Sequence, residues 1–212
     1  MDTQAPHQVH PHHVHQRHFD RLVMLSDGIF AIALTLSAVE LKPEMSPGKS
    51  LAQIWATPLG IYFLCFFIVS GVWARHRRTL AHLQKTDLFV TLSSLLMLSL
   101  VGLTPVFIRE MLTDENTANV NGMLLYALLL MATYLSLFVG WGYAAFIARL
   151  APSVPRPRAW AWLLEDLFVV VLFGAVALFS IHWQVLAGAA VIVGIALRIA
   201  TRRLESAAKK LD

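Results

Sequence analysis

The chain has 212 residues, 57% of them apolar and only 14% charged, with a mean hydropathy of +0.62 and a formal net charge of +4. Soluble domains carry about 25% charged residues, so a soluble globular domain is nearly excluded, and the apolar content excludes a disordered chain. Cys65 is the single cysteine, which excludes a disulfide scaffold. The apolar share amounts to about 121 positions, close to the roughly 120 that six membrane helices of about 20 residues need.

In chain order, the first 16 residues hold His7, His10, His12, His13 and His15, with His18 just after. Such a tract can bind zinc, copper or nickel, but no carboxylate or cysteine cluster completes a closed site. Residues 1–18 therefore read as a His-rich, disordered cytoplasmic tail with no assigned metal. A first span covers residues 22–41 and carries an internal acid, Asp27. The second, residues 54–74, has Pro58 in its first turn, where a missing N–H costs little. The third, residues 88–108, reads as an uncharged span. The fourth, residues 123–148, is long enough to tilt. The fifth, residues 159–181, holds Glu165 and Asp166 in its early turns. A short turn at Ser180, Ile181 and His182 leads into the sixth, residues 183–200, so the last two spans form a hairpin. The fold expected is all-α: a polytopic membrane protein whose six transmembrane helices lie within residues 19–203, followed by a short basic tail, 204–212.

Orientation follows from the basic residues. With both termini cytoplasmic, fourteen of the 17 Lys and Arg residues fall inside, against Lys42, Lys49 and Arg109 outside. The pI of about 9.5 thus reports topology, and no nucleic-acid partner is expected. The first span is too long for a cleaved signal peptide, and no small-residue cleavage site follows it.

Asp27 is the residue that composition cannot excuse. An acid in hydrocarbon costs about 2.5–3.5 kcal/mol on insertion scales and marks a functional-site candidate. On a helical wheel Ala31, Leu34 and Ala38 share its face, and these small residues predict close packing on a neighbouring helix. Gly28, Ile32, Thr35 and Val39 gather on a second stripe, flanked by Leu36. From the residues alone, Asp27 reads either as a partner in a structural hydrogen bond or as part of a proton relay.

The run Arg21-x-x-x-Leu25-Ser26-Asp27-Gly28-Ile29-Phe30-Ala31-Ile32-Ala33-Leu34-Thr35-Leu36 resembles the first-helix signature of the endosomal/lysosomal transmembrane potassium channel family, R-x-x-x-F-S-D-G-x-F-A-I-A-x-T-L. Glu40 matches the acid that closes that helix. Trp73, His76 and Arg77 are similar to the family's W-x-x-H-H/R ending of the second span. Leu25 departs from the usual Phe, and Ser93-Ser94 stand where the third span of the family carries an Asn. The resemblance implies a potassium-selective cation channel without a T-V-G-Y-G filter, built as a homotetramer with the first helices around the pore. It implies a pore constriction at Ile32, with Leu36 and Val39 above it. Thr35 becomes the selectivity hydroxyl and Glu40 the acid of the pore mouth. Arg21, Ser26, Asp27, Trp73, His76 and Arg77 become an inter-helix polar network. It implies no cofactor beyond permeant potassium, with further copies of the chain, the lipid bilayer and monovalent cations as partners, in a bacterial plasma membrane.

Val139-Gly140-Trp141-Gly142-Tyr143 is superficially similar to that filter, but a Trp is inserted and the segment lies within a helix. Gly140 with Ala144, and Ala190 with Gly194, give small-xxx-small spacing suited to helix contact. Glu165 and Asp166 complement the start of their helix and are placed to pair with a basic loop at Arg75, Arg77 and Arg78. Trp55, Trp160, Trp162 and Trp183 stand near span ends, where interfacial anchors belong. No catalytic motif appears, so no enzyme activity and no catalytic residue is expected. The alternative to a channel is a proton-coupled membrane transporter using Asp27 and His76.

Overall fold

A computed structural model describes residues 11–39, 41, 43, 47–112 and 122–208. The described residues form α1 (Pro11–Val39), α2 (Leu51–His82), α3 (Leu88–Gly102), α4 (Thr104–Leu112), α5 (Gly122–Gly142), α6 (Arg156–Ser180) and α7 (Gln184–Ala208). They make six spans long and apolar enough to cross a membrane, α3 and α4 together supplying the third. The protein is a multi-pass helical membrane protein. Glu40, His7 and His10 lie outside the described residues, as do residues 209–212.

Several helix boundaries differ from the sequence reading, and local chemistry accounts for most of those in the first three spans. α1 starts at Pro11, within the stretch read as disordered tail, because proline's fixed φ suits a first helical turn. α2 starts at Leu51, so Pro58 is its eighth residue and not in its first turn. A capping box sets that start. The Ser50 hydroxyl accepts from Gln53 N at 3.4 Å, and Gln53 Oε1 accepts from Ser50 N at 2.9 Å, satisfying two end donors reciprocally. The same helix runs on to His82, so Arg75, Arg77 and Arg78 sit on its last turns and not on a loop. In the third span, Pro105 has no N–H to continue the ladder. The α-helix closes with Leu103 N donating to Leu100 O at 3.1 Å, and α4 restarts at Thr104.

α5 is the central post, packed against α3, α4 and α6, while α1 lies across α2, α3 and α4. α6 and α7 form the expected hairpin, turned by His182 at φ 63°. The core is layered along the helices. A layer at the α2/α5 ends holds Leu80, Val90, Trp141, Ala144 and Leu163. A middle layer holds Phe30, Val72, Met97, Leu98 and Tyr134. A third holds Cys65, Ile108, Tyr126 and Leu130. Burial at these positions leaves the outer faces of α2, α5, α6 and α7 rich in exposed Leu, Ile, Val and Phe, as a bilayer solvent permits.

Small residues bring α3 and α5 together. A Cβ at Gly140 would sit 2.7 Å from Ser93 Oγ, and that hydroxyl donates to Ser136 O at 3.1 Å. The glycine is therefore a packing device within a continuous helix. Beyond it the helix loosens into a π-turn, Tyr143–Ile147, whose closing bond runs from Ala148 N to Tyr143 O at 2.9 Å. Arg149 then adopts φ 51°, a left-handed geometry that reverses the chain. Tyr143 donates to Asp87 Oδ2 at 2.7 Å, and Asp87 Oδ1 accepts from Val90 N at 2.9 Å. One carboxylate thus caps α3 and ties it to the end of α5.

Candidate functional site

α1 has two faces of different fate. Leu22, Ser26, Phe30, Ala33 and Ser37 recur at helical spacing and are buried against the chain's own bundle. Ile32 (59% exposed), Leu36 (47%) and Val39 (68%) lie on the uncovered face together with Thr35. Asp27 stands at the border between the two. The small residues next to it are not covered by another helix of the same chain: Gly28, Ala31 and Ala38 are exposed, and a Cβ at Gly28 would meet nothing. The reason is geometric, since the buried stripe lies on the far side of Asp27 from these residues.

The carboxylate of Asp27 accepts a hydrogen bond from Trp73 Nε1 at 2.8 Å. One residue earlier, the Ser26 hydroxyl donates to Leu22 O at 2.7 Å and lies 3.1 Å from His76 Nε2. Because the serine proton is committed to the carbonyl, His76 is the donor in that contact, with the proton on Nε2. Arg77 stacks over the Trp73 ring at 5.3 Å. Ser26, Asp27, Trp73, His76 and Arg77 thus form two α1–α2 bridges with a cation over one of them. Arg21 is exposed and joins neither bridge among the described residues; it lies six residues, about 9 Å of helix, from Asp27. Thr35 spends its hydroxyl proton on its own helix, at 2.9 Å from Ala31 O and 3.0 Å from Ile32 O. Its oxygen lone pairs are left to the open face.

A second charged constellation gathers beneath this network. Glu165 lies 3.0 Å from Arg78 Nη2, 3.5 Å from Arg75 Nη2 and 3.8 Å from Arg198 Nη1. Asp166 Oδ1 lies 3.3 Å from Arg75 Nε. The pairing of the two acids with the α2 basic residues is as their positions suggested. Tyr134 and Arg198 were not singled out in the sequence, and Trp162 was read there as an interfacial anchor. Arg75 Nη1 donates to the Tyr134 hydroxyl at 3.1 Å, and Arg78 stacks over Trp162 at 4.4 Å. Trp162 also meets Trp141 and His82 ring to ring, so it is a packing residue more than a lipid anchor. The signal available for Arg198 was a lone cation in an otherwise apolar span. Among the described residues no group of three His, Cys, Asp or Glu is placed to hold a metal.

Residues 21–105 match the family model described as endosomal/lysosomal potassium channel TMEM175. The human endosomal/lysosomal proton channel TMEM175 is 26% identical over 175 residues, 77% of this chain and 34% of that protein. A potassium channel of Streptomyces collinus is 25% identical over 148 residues, 66% of this chain and 71% of that protein. The rat proton channel TMEM175 is 29% identical over 98 residues, 44% of this chain. The chain therefore spans about a third of the human relative's length. No solved structure matches it. The matched residues contain the open stripe of α1 and both of its bridges to α2, so the likeness to the endosomal/lysosomal potassium channel model falls on the part of the chain that holds the site.

Proposed function

We propose that the protein is a potassium-selective cation channel in which α1 from each of four copies lines a central pore. The observation that carries this reading is the open face of α1. A stripe of Ile32, Thr35, Leu36 and Val39 is uncovered by the chain's own helices, and it continues into a border residue, Asp27, that hydrocarbon would penalise by about 2.5–3.5 kcal/mol. A face that joins branched aliphatics to an exposed carboxylate suits neither lipid nor a dry core. It suits a water-filled axis narrowed by apolar side chains.

The mechanism follows from those side chains. A ring of Ile32 excludes ions by dewetting when narrow and conducts when slightly wider. Leu36 and Val39 continue the constriction at one and two turns' distance. Thr35 offers hydroxyl oxygens whose protons are already committed to the backbone, so each can accept a partly dehydrated cation. The Asp27–Trp73 and Ser26–His76 bridges hold α1 in rotation, which keeps Ile32 aimed at the axis. Glu40 is the proposed acid at the mouth. Similarity to the Streptomyces potassium channel supports potassium as the permeant ion, and the positive-inside distribution supports both termini in the cytoplasm.

The test is electrical. Reconstituted protein is expected to pass potassium in preference to sodium, and Ile32→Asn to enlarge the current while weakening that preference. Unchanged current and selectivity in Ile32→Asn exclude the pore assignment. The human relative's name as a proton channel favours one further reading, proton flux through the same chain by way of Asp27 and His76. A saturable, pH-gradient-driven flux abolished by Asp27→Asn establishes that reading instead.

A further inference from the structure

A cavity of about 420 Å³ opens where the π-turn of α5 hands over to α6, walled by Ala145, Phe146, Val154 and Trp160 and flanked by Arg149 and Arg156. We propose that this cavity binds the phosphate headgroup of an anionic membrane lipid. It stands apart from the α1 stripe, and the proposal does not depend on the channel reading.

Charge is the first argument. Two arginines line one cavity, no acidic residue lines it, and neither arginine has an ion-pair partner among the described residues. A guanidinium presents a planar fork of N–H donors matched to phosphate oxygens. The backbone adds to this. α6 begins at the cavity wall with Pro155 as its cap, which supplies no side-chain bond, and the first turn contains no acid. The positive end of that helix is therefore uncompensated.

Position is the second argument, and it selects a lipid over a soluble anion. The cavity lies where the fourth span ends at Ile147 and the fifth begins at Arg156, the depth at which headgroups meet acyl chains. Phe146 and Trp160 stack at 4.5 Å between centroids and form an aromatic wall of the interfacial kind. A free phosphate gains nothing from that wall, whereas the glycerol and first methylenes of a lipid do. This end of the bundle also carries the basic loops, where anionic lipid is drawn by charge.

The experiment uses the full chain in nanodiscs of phosphatidylcholine with added phosphatidylglycerol, with native mass spectrometry counting retained lipids. Wild type is expected to retain phosphatidylglycerol over phosphatidylcholine, and Arg149→Gln/Arg156→Gln to lose that retention by about tenfold or more. Arg202→Gln/Arg203→Gln removes the same charge from exposed positions on α7 and is expected to retain the lipid. Inorganic phosphate at millimolar concentration is expected not to displace it. Equal retention by both double variants, equal loss by both, or displacement by inorganic phosphate overturns the proposal. Should the first variant fail to fold, bromine-labelled lipids replace it. Brominated phosphatidylglycerol must then quench the Trp160 fluorescence, taken as wild type minus Trp160→Phe, more than brominated phosphatidylcholine does, and equal quenching overturns the proposal.

Discussion

Replacing Glu165 by Gln keeps the side chain's shape and removes the charge that three arginines share. Glu165 and Arg75 are each about a fifth exposed and Arg78 about a third, whereas Arg198 is 43% exposed. Removing one partner of a buried ion pair costs about 3–5 kcal/mol, because the remaining charge is stranded. Arg75 keeps Asp166 at 3.3 Å, and Arg78 keeps its stacking on Trp162, so neither is wholly abandoned. Partial exposure screens the rest, and a loss of about 2–3 kcal/mol is expected. Arg198→Gln, at the exposed edge of the same cluster, is expected to cost about 0–1 kcal/mol. Unfolding in mixed micelles followed by tryptophan fluorescence measures both, since Trp162 sits directly against Arg78. A double-mutant cycle with Arg78→Gln isolates the pair, and a coupling of about 1 kcal/mol or more is expected. A cost for Glu165→Gln no larger than that for Arg198→Gln refutes the view that this cluster fastens α2 to α6.

Other substitutions probe the packing and the bridges. Gly140→Ala drives a Cβ to 2.7 Å from Ser93 Oγ and is expected to cost about 1–3 kcal/mol. Adding Ser93→Ala restores most of it, because the remaining neighbour, Ser93 Cβ, is at 3.6 Å; the same micelle unfolding assay reads both. Tyr143→Phe removes the bond to Asp87 Oδ2 and is expected to cost about 1–2 kcal/mol while leaving the α3 cap in place. Its signature in hydrogen exchange is faster opening at the start of α3 and the end of α5, without change in α7. Trp73→Phe deletes the donor to Asp27 but keeps an aromatic face for Arg77. It is expected to shift ion selectivity or open probability in bilayer recordings more than it lowers thermal stability.

The sequence made the spans legible because hydropathy alone decides them: each apolar run became a span, although the third is built from two helices. It was a weaker guide to helix ends, where single polar groups decide. Ser50 and Gln53 carried a capping-box spacing that places the start of α2 at Leu51, yet the apolar run pointed three residues later. Pro105 marked the break in the third span as plainly as any residue can, although uniform hydropathy across 88–108 concealed it. For the site, the signature of α1 identified both stripes, and the wheel separated Ile32, Thr35 and Val39 from Asp27. What the wheel could not supply was the identity of the buried face, since Leu22, Ser26, Phe30, Ala33 and Ser37 mix small, polar and large side chains with no hydrophobic contrast to the open face. In a membrane both faces are apolar, so amphipathicity loses its power to orient a helix. Glu165 was placed near the basic end of α2 and Asp27 was grouped with Trp73, but the individual bonds, Trp73 to Asp27 across 46 residues and Arg78 to Glu165 across 87, are fixed only by the tertiary structure.

That loss of contrast gives the polar bridges their importance. An apolar helix lying in a bilayer against other apolar helices has little reason to prefer one rotation, because lipid tails solvate leucine as well as a neighbouring helix does. Ser26 and Asp27 supply the preference. They are consecutive, about 100° apart on the helix, and each is bonded to α2, to His76 and to Trp73, which are themselves three residues apart and so lie on one face of that helix. Two bonds at different angles to one neighbour define a rotation, where one bond would leave a hinge. With α1 so fixed, Ile32, five residues and about 7.5 Å further along, faces away from the bundle by geometry and not by its own hydropathy. Removing either bridge therefore predicts a rotated stripe and, on the proposed channel reading, an altered pore in a chain that still folds. Removing both, in Ser26→Ala/Trp73→Phe, predicts a loss of ion selectivity larger than the sum of the two single effects, and strictly additive effects in bilayer recordings refute the rotational account.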